Sequence, residues 1–171
     1  MDTMETILSR RSIRKYTPKS VSKSIIIKLI NAAMSAPSAE NEQPWHFIII
    51  DKKKILKAIP KFHPYASMLN IASKAVLICA DTTREKHKGF SPIDCAAATE
   101  NLLLAAHANG LGACWLGMYP SKDKRITNIR KLLNIPTAVI PFAIVAIGYP
   151  AEHKPKENRY NESRILNRKR I

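Results

Sequence analysis

Aromatic residues make up only 6% of this 171-residue chain. Neither an RNP-like nor a helix-turn-helix signature accompanies them, so nothing resembles a base-reading surface. Acidic residues are also scarce: 13 Asp and Glu stand against 28 Lys and Arg, for a net charge of +15. Such a charge attracts any polyanion. The basic residues are scattered, however, over positions 52–54, 84–88, 122–131 and the tail, rather than gathered in one stripe. Most of this charge is therefore expected to be solvated surface, with no specific nucleic-acid partner. Cys79, Cys95 and Cys114 form no CxxC pair, and the five histidines show no HExxH or HxH spacing. A metal site is not expected, and the cysteines read as small buried hydrophobes. No apolar run approaches the length of a membrane span. The first residues, Met1 to Glu5, lack the basic-then-apolar layout of a signal peptide, which points to a cytoplasmic protein.

What is present is more specific. Arg10-Arg11-Ser12-Ile13-Arg14 packs three guanidinium groups and a hydroxyl into five residues. Arginine suits planar, bidentate capture of phosphate. Residues 36–45, Ala-Pro-Ser-Ala-Glu-Asn-Glu-Gln-Pro-Trp, place polar groups on a turn. Residues 110–117, Gly-Leu-Gly-Ala-Cys-Trp-Leu-Gly, permit close backbone approach. Anion capture, a polar turn and an approachable backbone together suggest a bound, flat, phosphorylated cofactor.

A single domain over residues 1–171 is expected, ending in a basic tail from about residue 151. Helices are predicted over residues 2–11, opened by an Asp2-x-x-Glu5 capping box, and over 22–35, 52–58, 64–72 and 121–133. Strands are predicted over 46–50, 75–80, 113–116 and 142–147, the first buried on both faces and the last starting only after Pro141. The strongest helix runs over 91–108, with Ser91 as its cap, Pro92 at the first helical position and Gly110 beyond its end. Apolar residues occur nearly all round it, and so short a chain leaves little to surround it. A homodimer with this helix near the shared core is therefore expected.

The order and spacing of these motifs resemble the nitroreductase family of flavin enzymes, from residue 5 to about residue 164. The family's Arg-Arg-Ser-x-Arg opening is met by Arg10, Arg11, Ser12 and Arg14. Its Pro-Ser-x-x-Asn-x-Gln-Pro-Trp turn is met by Pro37, Ser38, Asn41, Gln43, Pro44 and Trp45. Its long central helix and Gly-Leu-Gly strand are met by residues 93–106 and 110–117. The basic-aromatic tail segment Lys156-Glu157-Asn158-Arg159-Tyr160 also resembles the family.

The resemblance implies an α+β fold, with a mixed, mostly antiparallel sheet flanked by helices, in an intertwined homodimer. It implies FMN at the dimer interface and NADH or NADPH as electron donor. Arg10 and Arg159 would bind the FMN phosphate, with Arg11 and Ser12 next; Arg14 would join them or serve a subunit salt bridge. Asn41 and Gln43 would meet the polar edge of the ring. Pro37, Ser38 and Ala39 would reach the flavin of the other subunit. Leu116 and Gly117 would present backbone to the reactive ring nitrogen. No side chain reads as general acid, base or nucleophile, because the flavin would carry the chemistry. Glu100 and His107 read as structural or surface groups. The implied activity is electron transfer from NAD(P)H to nitroaromatics, quinones or similar small acceptors by alternating-substrate kinetics. The same fold would also suit reductive dehalogenation, flavin breakdown or a flavin sensor without turnover, and a basic nucleic-acid-binding protein is the reading from another class. The span between residues 58 and 91 is short for the extra helices that cover the site in longer members of the family, which puts the presence of a substrate gate in question.

Overall fold

The computed structural model of the chain describes residues 2–121 and 123–166. Four strands, Trp45–Ile50 (β1), Lys74–Asp81 (β2), Gly112–Gly117 (β3) and Val139–Gly148 (β4), form one antiparallel sheet ordered β1-β2-β4-β3. Five helices surround it: Thr3–Ser9 (α1), Lys23–Met34 (α2), Lys53–Ala58 (α3), Ser91–Ala108 (α4) and Lys124–Leu133 (α5). The expected α+β class and helix-flanked antiparallel sheet are thus what the chain adopts. A parallel contribution comes from the isolated bridge between Ser12 and Ala113.

Strand periodicity divides the core. In β2, Val76, Ile78 and Ala80 face α2 and α4, while Ala75, Leu77 and Cys79 face a second cluster with Leu56, Ile59, Leu69 and Ile129. The sheet is therefore covered on both sides, and β2 and β4 are buried on both. All three cysteines are free and buried in these clusters. Alternate packing of this kind sets the register, since a slip of one residue would exchange the two faces.

Several boundaries differ from the sequence expectation, each for a local reason. β1 is an edge strand: Trp45, Phe47 and Ile49 pack on one cluster and Ile48 and Ile50 on the other, so both faces are covered as expected, but His46 is exposed and Phe47, Ile48 and Ile49 are only half-buried. β4 begins at Val139, ahead of Pro141, because the register shifts opposite that proline, between Ile78 and Cys79. A bulge there tolerates the missing N–H. Ser91 does not cap α4; Glu85 Oε1 instead accepts from the N–H groups of Gly89 (2.7 Å) and Ser91 (3.0 Å). Residues 64–72 form only a short 3-10 turn, Ser67–Asn70. Asp2 does cap α1, accepting from Met4 and Glu5 N–H, but Glu5 reaches across to Lys156 Nζ (2.7 Å) rather than back to the cap.

The arginine-rich segment lies along the outer edge of β3. Ile13 N–H donates to Ala113 O (3.0 Å), and buried Tyr16 donates from its hydroxyl to Ile13 O (2.7 Å). Glycine makes this approach possible. A Cβ on Gly112 would lie 2.6 Å from Ile13 Cγ2, and one on Gly148 would lie 2.8 Å from the Tyr16 ring. Gly112→Ala should therefore destabilise the fold by about 1–3 kcal/mol, the usual penalty for overpacking. A denaturation midpoint matching the parent's would show that the segment yields without cost.

Candidate functional site

The outer edge of β3 is only partly covered. Ile13 donates to Ala113, and at the far end Met118 N–H donates to Phe142 O (3.0 Å). Antiparallel alternation between these points turns the peptide groups of Ala113, Trp115 and Gly117 away from β4 and toward the edge. Ala113 is met by Ile13, after which the chain leaves the strand. Beyond it, a cleft of about 590 Å³ opens against residues 114–117. Arg14, His63, Tyr65, Met68 and Arg125 line its other walls. Gly117 is exposed, and a Cβ there would meet nothing within 4 Å.

Arg14 lines this cleft and also a smaller, polar pocket of about 220 Å³ shared with Arg11, Ser12, Lys154, Glu157 and Arg159. Three guanidinium groups and one ammonium face a single carboxylate there, which is a setting for an anion. The guanidiniums are not equivalent. Arg11 is committed to backbone: its Nε donates to Pro155 O (2.9 Å) and its Nη1 to Arg10 O (2.6 Å), so it ties the tail down. Arg159 pairs with Glu157 (2.8 Å) yet stays 70% exposed, so a stronger anion can compete for it. Arg14 N–H donates to Glu152 Oε1 (2.6 Å), and its guanidinium makes one long contact with Ser12 O (3.4 Å), which leaves it the most available of the three.

Arg10 is placed elsewhere. It lies beside α4, with Nε 3.3 Å from Glu100 Oε1, and it lines neither the cleft nor the polar pocket. Next to it Ser9 Oγ meets His107 Nε2 at 2.7 Å. Burial, with Arg10 and Arg11 close by, holds His107 below its ordinary pKa.

The polar turn lies at the same end of the sheet as Gly117 but at the opposite edge, because it leads into β1. Three strand spacings separate the two edges, roughly 14 Å. The chain therefore does not bring Pro37, Ser38, Ala39, Asn41 and Gln43 to the β3 cleft. The turn is nevertheless a built feature. Glu40, Asn41 and Gln43 have φ of 46°, 57° and 48°. Non-glycine residues in this region cost on the order of 1 kcal/mol or more each, and such strain gathers at ligand sites. Side chains hold it: Ser38 Oγ accepts from Gln43 N–H (3.0 Å) and Asp94 Oδ1 from Ala39 N–H (3.1 Å). Burial pushes the Asp94 carboxyl above its ordinary pKa. Gln43 Nε2 donates to Asn41 Oδ1 (2.8 Å), which leaves the Asn41 amino group and the Gln43 carbonyl oxygen to serve a ligand.

The structure thus brings together Arg11, Ser12, Arg14, Arg159, Leu116 and Gly117, and separates from them Arg10 and the 37–43 turn. It also adds His63, Tyr65, Met68, Arg125 and Lys154, which sequence reasoning missed. None sits in a recognisable motif: His63, Tyr65 and Met68 come from the 59–70 region, Arg125 from α5 and Lys154 from the tail, and they converge only through folding. Among the described residues no group of three His, Cys, Asp or Glu side chains is arranged to hold a metal ion.

Comparison with known proteins gives a consistent answer. Residues 7–149 match the sequence profile described as the nitroreductase family. A protein of Methanothermobacter thermautotrophicus, provisionally named an NADH dehydrogenase/NAD(P)H nitroreductase, is 46% identical over 165 residues, which are 96% of this chain and 86% of that one. A crystal structure from Parabacteroides distasonis with the same provisional name superposes with a TM-score of 0.93 at 40% identity, covering 97% of both chains. A Desulfovibrio desulfuricans structure, provisionally named a nitroreductase and determined in complex with FMN, superposes with a TM-score of 0.84 at 29% identity, over 98% of this chain and 97% of that one.

Proposed function

Because the chain belongs to the nitroreductase family, we propose that it is an FMN-dependent oxidoreductase that passes electrons from NADH or NADPH to small acceptors such as nitroaromatics and quinones. The observation that carries this reading is the position of Arg14 on both an anion pocket and a cleft against open β3 backbone. A flat ring with an anionic side chain has that same bipartite form. The donor set fits FMN: Ser12, Arg14, Lys154 and Arg159 would hold the phosphate, with Arg11 bracing the tail that carries two of them. Met68, Cys114 and Leu116 offer apolar surface to the ring, and the Trp115 and Gly117 peptide groups offer polar partners at its edge. Arg10, beside Glu100 and outside both pockets, is the candidate least suited to the phosphate by its placement.

When bound, the flavin supplies the ability to accept and release an electron pair. The protein's residues orient it and shape the field around it. Reduction adds negative charge to the ring, and Arg14 and Arg125 on the cleft wall would stabilise that charge. No side chain in the cleft is needed as acid, base or nucleophile, since His63 is engaged by backbone and burial raises the Cys114 thiol. The open cleft suits donor and acceptor in turn, hence alternating-substrate kinetics.

The 37–43 turn finds its use in a homodimer, in which a second copy would deliver that turn to the ring. Met4, Ile7 and Leu8 of α1, Ile27 and Met34 of α2, and Ile93 of α4 are exposed apolar residues that such an interface would cover. No described helix is long and apolar enough to cross a membrane. A cytoplasmic location accords with the reading.

Purified protein should carry flavin absorbance, release FMN on denaturation and, once stripped, bind added FMN. A protein that neither releases nor binds FMN would remove the reading. Steady-state oxidation of NADH or NADPH with a quinone acceptor then separates an enzyme from a flavin sensor.

A further inference from the structure

His63 is 1% exposed and lies beneath the wall of the cleft, in the 59–70 region. Its Nε2 is 3.1 Å from Gly117 O. A carbonyl can only accept, so Nε2 carries the proton. Its Nδ1 is also buried, with no hydrogen-bond partner among the described residues. Burial above all, and Arg125, hold the imidazole below its ordinary pKa, against the Gly117 carbonyl, its own backbone and Asp123. His63 is therefore a neutral, single-tautomer donor. Its backbone is fixed as well: His63 N–H donates to Ile59 O (3.0 Å) and Ala66 N–H donates to His63 O (3.0 Å).

The recipient needs this support. Gly117 ends β3 at a sheet edge, with no strand beyond it and no side chain to limit its rotation. In an extended residue the N–H and C=O point the same way. Anchoring the carbonyl therefore also aims the N–H. Resting on the flavin reading above, we propose that His63 is a positioning residue: it holds the Gly117 carbonyl at the outer edge of β3 and so presents the Gly117 N–H to the flavin ring.

The test compares His63→Leu, which fills the site without a donor, with His63→Gln, whose amide nitrogen reaches a position near that of Nε2. Apoprotein of each is titrated with FMN and with riboflavin by fluorescence, and the visible spectrum of the bound flavin is recorded. His63→Leu should weaken both ligands about tenfold, the scale of one lost hydrogen bond, and shift the flavin bands. His63→Gln should stay within about threefold of the parent. The equal loss for riboflavin locates the effect at the ring rather than the phosphate. Parental affinity and spectrum in His63→Leu would overturn the proposal, as would a loss in His63→Gln equal to that in His63→Leu, which would mean packing alone. If His63→Leu does not fold, His63→Asn, too short to reach the carbonyl, replaces it and should show the same tenfold loss; parental affinity in that variant is equally fatal. Absence of FMN binding by the parent would defeat the flavin reading itself, a result distinct from each of these.

Discussion

Gly117→Leu should fold as the parent does and lose FMN, with affinity falling by more than about a hundredfold, or some 3 kcal/mol. Two features separate its effect on binding from its effect on the fold. The position is exposed, and a Cβ there would meet no atom within 4 Å, so the substitution creates no internal clash. The space it fills is the cleft that Gly117 lines, and a flat ring cannot approach the β3 backbone through an isobutyl group. Denaturation midpoints should agree with the parent's to within about 0.5 kcal/mol, the range for surface changes away from special features. Gly112→Ala, five residues away on the same strand, should do the reverse and lose stability first. A Gly117→Leu protein that binds FMN with parental affinity would place the ring away from this edge.

Arg14→Ala should weaken FMN by roughly ten- to a hundredfold, from about 1.5–3 kcal/mol for a hydrogen bond to a charged group. Arg14→Lys should recover part of the loss, because an ammonium keeps the charge but not the planar fork. Riboflavin provides the internal control: without a phosphate it should lose much less on the same substitution. Arg10→Ala is the informative contrast. The motif by itself favours Arg10 over Arg14 for the phosphate. In the structure Arg10 lies beside Glu100 and outside both pockets, whereas Arg14 lines both. Arg14 should therefore be the more costly loss, as titration of the two stripped variants would show. A larger effect at Arg10 would mean that ligand binding pulls it from Glu100.

The fold was largely legible because its signals are local. The Ser22 cap and the proline after α2 bound that helix, and the apolar runs at β2 and β4 mark strands covered on both faces. Failures came where a partner distant in sequence decided the outcome. Glu85 replaces Ser91 at the start of α4, and a bulge opposite Pro141 lets β4 begin earlier. Four consecutive apolar residues, Phe47-Ile48-Ile49-Ile50, mark a strand packed on both clusters, but its burial is only partial because β1 lies at the sheet edge. Residue type cannot reveal edge position, because strand order is a property of the whole chain.

The candidate site divides in the same way. The sequence alone determined the chemistry on offer: arginines and a serine fit for phosphate, an Asn and Gln turn, a strand whose glycines let backbone and ligand meet. Those properties belong to residue types and short spacings. Tertiary structure decided which of these groups meet. It put Arg14 rather than Arg10 at the junction of the two pockets, and brought His63 from a region without a motif onto the Gly117 carbonyl. It also held the 37–43 turn at the far edge of the sheet. Such choices depend on strand order, on which side of β3 is left unpaired, and on where each charged group is placed, as when Arg10 lies beside Glu100. They are contacts between residues many positions apart, fixed by packing the two faces of one sheet.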